Sequence, residues 1–377
     1  MRINIVGAGP AGLYFALLMK QADPRHDITV FERDGANDTF GWGIVFSDQT
    51  FGYLRESDQP SFDEIVAACQ TWDNVDVVHR GRKVSVHGNR FSGIARIAFL
   101  QILQRRAAAV GVELRFHAPV TDVAELPPAD LLVGADGANS LVRARHASVF
   151  EPHVSLARNR YIWLGTPRLF HGLTLTFRET EWGPFAAHSY KFSRSLSTFI
   201  VECGPDTWER AGFPGMSGEQ TCERLASIFA ADLAGAPLLT NNFVKWLNFA
   251  LVRNARWYGD RVVLLGDALH TAHFSIGSGT KLALEDAIAL AHAFAVHPRV
   301  ADALPAFQDA RKPIVDALQA AAVESLHFFE NWADDAALEP VAFAYKLMTR
   351  SGRIDREKLR RRDPDFVAEY ERTIGAA

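Results

Sequence analysis

Three groups of residues along this 377-residue chain have the types and spacing to do chemistry. The first is Gly7-Ala8-Gly9-Pro10-Ala11-Gly12, directly behind the apolar run Ile3-Asn4-Ile5-Val6. A G-x-G-x-x-G turn between a strand and a helix is a dinucleotide signature. Gly7 permits the tight turn, Gly9 lets backbone approach a pyrophosphate, and Gly12 lets the helix pack on the strand. Ala11 belongs to the same turn, and the helix N-terminus faces the phosphate charge. Glu32 stands 20 residues beyond Gly12 at the end of the next apolar run, where a carboxylate can accept from ribose hydroxyls. Arg33, beside it, is counted with the cofactor set.

The second group is Gly134-Ala135-Asp136-Gly137, with Ser140 and Arg143 just beyond. The third is Gly266-Asp267-Ala268-Leu269-His270, followed by Gly277-Ser278-Gly279-Thr280 at the head of a helical run. Asp267 falls at the carboxyl end of a strand, where open α/β sheets bind their ligands. The amides of Gly277, Gly279 and Thr280 can approach an electron-rich ring, and the helix dipole favours negative charge there.

Candidates for proton transfer lie elsewhere. In Phe185-Ala186-Ala187-His188-Ser189-Tyr190-Lys191, strand alternation puts His188 and Tyr190 on one face. His273 neighbours the third group and is the candidate closest to the reacting centre, while His270 is assigned to orienting the Gly-Asp turn. His270 and His273 lack a Cys or carboxylate at ligand spacing, so no metal site is expected.

These residues must be positioned by two kinds of architecture. Residues 2–6, a helix ending at Asp23-Pro24, and residues 28–32 make one βαβ unit of a parallel sheet. A helix over 99–109, a strand over 130–137, a strand over 261–267 and a helix over 281–296 extend it. Between about 160 and 204, four strand-like runs follow one another without helices, the pattern of an antiparallel meander. Ser217 and Gln220 form a capping box opening a helix to about Leu233. From Pro305 the pattern is helical, and Lys358–Arg362 reads as a solvated face. The expected fold is α/β: a Rossmann-like domain over 1–75, 90–150 and 255–300, interleaved with an antiparallel substrate domain over 76–89 and 151–254. A C-terminal helical region over 301–377 completes it.

Composition narrows the function classes. A formal net charge of −4 gives no basic excess for nucleic acid. Three scattered cysteines suit neither a disulfide framework nor a zinc site, and point to a reducing compartment. Neither a secretion signal nor a membrane-length apolar run stands out, so a cytoplasmic protein is expected.

Taken together, the glycine turn, Asp136-Gly137, Gly266-Asp267 and Arg96 in Gly93-Ile94-Ala95-Arg96 resemble the aromatic-hydroxylase branch of FAD monooxygenases, the group of para-hydroxybenzoate hydroxylase. The resemblance sharpens at Gly41-Trp42-Gly43, at Arg158–Thr166, at Ala268–Thr280 and at Tyr345–Ser351. These look like the flavin part of salicylyl-CoA 5-hydroxylase and anthraniloyl-CoA monooxygenase. Two departures from the general family stand out: His273-Phe274 replaces a Pro-Pro pair, and Lys281 an Asn. The resemblance implies FAD held by the three glycine groups, with Arg96 near its diphosphate, and transient NAD(P)H. It further implies O₂ activation as a flavin C4a-hydroperoxide and hydroxylation of an aromatic ring, salicylyl-CoA to gentisyl-CoA being the first candidate. Arg158, Arg160 and Arg168 are candidates for the CoA phosphates. A tryptophan-derived or free aromatic acid is the alternative substrate. A flavoprotein reductase on the same scaffold, or a flavin-bearing regulator, is the alternative activity.

Overall fold

The computed structural model describes residues 1–241 and 245–375. In chain order its strands are β1 Arg2–Val6, β2 Asp27–Phe31, β3 Gly43–Ser47, β4 Gln70–Trp72, β5 Val75–His79, β6 Arg82–Val86, β7 Phe91–Ala95, β8 Glu113–Arg115, β9 Leu131–Gly134, β10 Pro152–Thr166, β11 Leu173–Thr180, β12 Gly183–Lys191, β13 Ser197–Cys203, β14 Leu247–Asn254 and β15 Val262–Leu264.

Five of them make a parallel sheet in the order β15-β9-β1-β2-β8. The crossover between β1 and β2 is helix Pro10–Ala22, opened by proline at its first position, where a missing N–H costs nothing. Its Leu13, Tyr14, Phe15, Ala16 and Leu17 are buried, packed chiefly against helix Gly279–Val296. Glycine is obligatory at two points of this packing. Gly7 sits at φ +105°, with Ala135 O only 2.3 Å from where a Cβ would stand, and a Cβ on Gly12 would meet Gly7 O at 2.2 Å.

A second sheet, β14-β10-β13-β12-β11-β5-β6, is antiparallel except where β11 runs parallel to β5. A small sheet, β3-β7-β4, links the two. One face of the meander is apolar: Ile162, Leu164, Phe185, Ala187, Phe199 and Val201 pack under the helices of 205–233. The opposite face carries Tyr161, Trp163, His188, Tyr190, Thr198 and Glu202, as the registers Tyr161↔Glu202, Trp163↔Ile200, His188↔Ile200 and Tyr190↔Thr198 require. That polar face is turned toward the dinucleotide region.

Several elements differ from expectation. β15 stops at Leu264, because Gly266 at φ +58° turns the chain into a short 3-10 segment that lifts Asp267 off the sheet. The helix after Ser217 breaks at Phe229 into Gly218–Ile228 and Ala230–Leu233. The C-terminal pattern begins at Val300, and helix Val300–Asn331 carries Pro305 and Pro313 within it. Among the described residues, no helix is long and apolar enough to cross a membrane.

Candidate active site

The glycine turn forms an open cradle at the end of β1. A Cβ on Gly9 would meet nothing within 4 Å, whereas Gly7 and Gly12 are filled by protein. Gly9 is also the N-cap of helix Pro10–Ala22 and has no side chain to satisfy the first amides, so they point into the empty space. Glu32, half-buried, accepts from Ala8 N at 2.8 Å through Oε2 and from Asp34 N at 3.0 Å through Oε1. It ties the cradle to β2 and borders the space a ribose would fill. Arg33 points outward and pairs with Asp34 at 3.2 Å, away from this cradle.

Asp136 is occupied by its own turn. Its carboxylate accepts from Ser140 Oγ at 2.5 Å, Leu141 N at 2.6 Å and Val142 N at 3.2 Å. Its place in the site is therefore to shape the loop whose Ala135 abuts Gly7 and Gly12. Buried Arg143 fastens that loop to the next one by donating to Ala268 O at 2.9 Å.

Asp267 is open to water, although Leu264, Leu265, Gly266 and Ala268 around it are buried. Burial by the surrounding protein still raises its carboxyl above the ordinary range, against the pull of Arg96. An open side chain in a desolvating surround describes the floor of a deep cleft. Arg96 forms the facing wall: half-buried, it donates to Thr39 Oγ1 at 3.1 Å, its backbone N–H bonds to Trp42 O at 2.8 Å, and desolvation lowers its pKa while Asp267 raises it. Gly279, in the first turn of helix Gly279–Val296, likewise has open space where a Cβ would be. Gly277 enters that helix at φ +62°, and Thr280 is half-buried beside it. An open pyrophosphate cradle, a ribose-side carboxylate, a second carboxylate opposite an arginine, and a helix N-terminus in one cleft fit an extended flavin dinucleotide.

Behind this cleft lies a buried charge network. His270 Nε2 is 2.7 Å from Asp286 Oδ2, and Arg311 bridges Asp286 at 2.9 Å and Glu285 at 2.6 Å. Lys281, the departure from the wider family, pairs with Glu285. The network braces the Gly-Asp turn against the long helices, the positioning part expected of His270.

The polar face of the meander meets the His273 loop. His188, 4% exposed, is 2.7 Å through Nε2 from Glu202 Oε1. Glu202 is buried too, and Asn159 Nδ2 donates to its other oxygen at 3.1 Å. Burial works to raise Glu202, but His188, His273 and Asn159 hold it below the usual carboxylate range. A carboxylate only accepts, so His188 Nε2 carries the hydrogen, and in the neutral ring Nδ1 keeps a lone pair. Among the described residues, Nδ1 has no hydrogen-bond partner. Phe274 lies edge-on to His188 at 5.2 Å and against Tyr161 at 5.0 Å. Burial and then Asp267 push the Tyr161 hydroxyl up to about 12, which places this tyrosine between cleft floor and meander.

Tyr190 differs from the sequence reading. Its hydroxyl donates to Gly43 O at 2.7 Å, its ring stacks on Trp72, and burial raises its pKa further. A hydroxyl so engaged holds the Trp42-Gly43 turn rather than taking a proton. Arg158 and Arg160 are also engaged internally: Arg158 grips the end of helix Val300–Asn331 at Glu330 and Asn331, and Arg160 covers Trp208 at 4.1 Å. Arg168 is exposed and forms no ion pair among the described residues.

Glu202, Tyr161 and Arg350 were missed as site residues. A lone acid in the otherwise uncharged Ser197–Cys203 run is a signal for Glu202, which the β10–β13 register sets opposite Tyr161.

This cleft defines a flavin-dependent oxidoreductase fold. The family described as FAD binding domain matches residues 1–322, and the chain belongs to it; FAD is its cofactor. The chain is 42% identical to salicyloyl-CoA 5-hydroxylase of a Streptomyces species, over 97% of this chain and 72% of that one. It is 39% identical to 3-hydroxy-4-methyl-anthranilyl-[aryl-carrier protein] 5-monooxygenase of Streptosporangium sibiricum, over 85% and 86%. In fold it matches 2-methyl-3-hydroxypyridine-5-carboxylic acid oxygenase at a TM-score of 0.72 and 22% identity, over 93% and 97%. The protein is an FAD-dependent aromatic monooxygenase.

Proposed function

We propose that the chain hydroxylates the ring of an aromatic acid presented as its coenzyme A thioester, with salicyloyl-CoA as the first candidate, using NAD(P)H and O₂. Bound FAD supplies the redox chemistry, passing electrons from NAD(P)H to O₂ and delivering one oxygen atom. The glycine cradle, Glu32, Arg96, Asp267 and the Gly277–Thr280 turn would hold it; Asp136 and Arg143 would shape its loops.

The observation that carries the reading is the His188–Glu202 pair on the sheet face that meets the His273-Phe274 loop. Glu202 makes His188 Nδ1 the acceptor, so His188 can take the proton of a ring hydroxyl and leave an electron-rich phenolate. The imidazolium formed is stabilised by the carboxylate 2.7 Å away. Phe274, Tyr161 and Phe249 wall the same space with apolar surface that excludes water from the reacting oxygen. The 42% identity to a salicyloyl-CoA hydroxylase supports a phenolic thioester. Exposed Arg168 is the candidate among the three arginines still available to a CoA phosphate.

The test is stopped-flow reduction of the bound FAD by NADH and NADPH, with salicyloyl-CoA or free salicylate present. Strong acceleration by the thioester and little by the acid is expected. Equal stimulation by both, or none by either, would remove the thioester assignment.

A further inference from the structure

The second histidine of the site is held by a chain of hydrogen bonds whose direction can be worked out from its ends. Arg350, the C-cap of helix Pro340–Thr349, donates through Nε to Ser325 Oγ at 2.8 Å and through Nη2 to Ser275 O at 2.7 Å. Ser325, fully buried on helix Val300–Asn331, is 2.8 Å from Ser275 Oγ. Ser275 Oγ is in turn 2.9 Å from His273 Nδ1.

A guanidinium has hydrogens only to give. Ser325 Oγ therefore accepts from Arg350, and its own hydrogen is free for Ser275 Oγ. The Ser275 hydrogen then goes to His273 Nδ1. A hydroxyl chain alone could be reversed, with Nδ1–H donating to Ser275. The backbone opposes that option without deciding it alone: Ser275 N–H points at the same Nδ1 from 3.4 Å, a long contact, and an N–H cannot accept. With the hydroxyl chain running outward from Arg350, both partners of Nδ1 are donors, so the neutral ring carries its hydrogen on Nε2.

We propose that Arg350, acting through Ser325 and Ser275, fixes His273 as the Nε2–H tautomer, so that it presents a hydrogen-bond donor to the oxygen substituent of the aromatic substrate. This rests on the proposed function and completes it. His188 Nδ1 takes the proton of the ring hydroxyl, and His273 Nε2–H donates to the oxygen left behind. No bond other than that O–H is broken, and the proton resides on His188. The two rings meet the same Phe274, which is 4.1 Å from His273 and 5.2 Å from His188. His273 is 2% exposed, and its Nε2 has no hydrogen-bond partner among the described residues. The titratable groups facing it are Glu202, His188 and Arg350. Burial outweighs Glu202 and keeps the ring neutral, pushing its pKa down to about 4. A neutral donor binds a phenolate without giving up its own proton. Arg350, Ser325 and Ser275 are positioning residues; none needs to touch substrate.

The direct test is two-dimensional ¹⁵N NMR of the FAD-loaded protein labelled at histidine, with the His273 signals assigned by His273→Gln. At neutral pH the wild-type ring should show a protonated Nε2 and a bare Nδ1. A protonated Nδ1, or a charged ring, would overturn the proposal. Ser275→Ala and Ser325→Ala each break the chain. Both should mix the tautomers and lower kcat about tenfold, the scale of one lost hydrogen bond, with KM for the thioester little changed. Ser275→Thr keeps the hydroxyl and should restore the wild-type spectrum. An unchanged tautomer in folded Ser325→Ala would sink the relay, whereas failure of wild type to hydroxylate any thioester would sink only the function on which it rests.

Discussion

His188 and Glu202 sit diagonally across β12 and β13, with Ile200 paired to His188 and Ala186 paired to Glu202. Their side chains meet at 2.7 Å on the one polar face of a sheet whose other face is core. A buried carboxylate costs several kcal/mol unless it is partnered, so Glu202 stays ionised only because His188 and Asn159 are there. The same contact that stabilises the acid dictates which nitrogen of the imidazole is free.

That dependence gives the first prediction. His188→Ala should lower kcat by about 10²–10⁴, the usual worth of a general base, with FAD content unchanged. Glu202→Gln should lose less, because the amide oxygen can still accept from Nε2. It should move the acidic limb of the kcat–pH profile downward, since the imidazolium loses its carboxylate. A profile that does not move would show that Glu202 serves the fold alone.

Gly9 separates cofactor binding from folding. Unlike Gly7 and Gly12, it has free space around it, and it occupies an N-cap where serine is a preferred residue. Gly9→Ser should therefore leave the apoprotein's Tm unchanged or slightly raised, while weakening FAD binding by at least about tenfold (about 1.4 kcal/mol). Gly7→Ala should instead destabilise the apoprotein by about 2 kcal/mol or more, since it forces a Cβ against backbone at positive φ. Thermal melts with FAD titrations distinguish the two.

Stability should fall on mild acidification because of His273. Its folded pKa is about 4 against an ordinary 6.5, so the unfolded chain takes up its proton first. The contribution is complete above pH 6.5 and is lost as pH falls toward 4, amounting at most to about 3 kcal/mol. Urea unfolding at pH 7.5 and pH 5 should show the loss, and His273→Gln should flatten it.

Arg350 is the fastening between the C-terminal helices and the flavin-facing loop. Burial lowers its guanidinium to about 10, still charged at neutral pH, with Glu202 opposing the shift. Arg350→Met removes that charge, takes the donor from Ser275 O and leaves Ser325 with Ser275 alone. It should cost about 3 kcal/mol in unfolding free energy and raise NAD(P)H consumption per hydroxylated product, because the loop that closes the site loses its tether.

The cofactor half was the more legible part in the sequence. Glycine turns are dictated locally: Gly7, Gly9 and Gly12 differ in what a Cβ would strike, yet one short motif encodes all three. Asp267 was legible for the same reason, being fixed by a strand end and a turn. Asp136 was found by type but not by task, since only the folded loop reveals that its oxygens are spent on Ser140, Leu141 and Val142. The substrate half depends on pairing across strands. His188 and Tyr190 were correctly set on one face, but nothing local indicates that Tyr190 would reach Gly43, 147 positions away. Glu202 stood out as a lone acid, but its partner on β12 did not, and Arg350 was out of reach because its partners lie on helix Val300–Asn331 and in the Phe274–Ile276 turn.

The reaction that ties these residues together is insertion of oxygen into an aromatic ring. It is tested most directly by turnover of salicyloyl-CoA with NAD(P)H under ¹⁸O₂, with mass spectrometry of the aromatic product. One ¹⁸O atom in the ring for each NAD(P)H consumed is predicted. NAD(P)H oxidation that leaves the thioester unlabelled and its ring unchanged would contradict it.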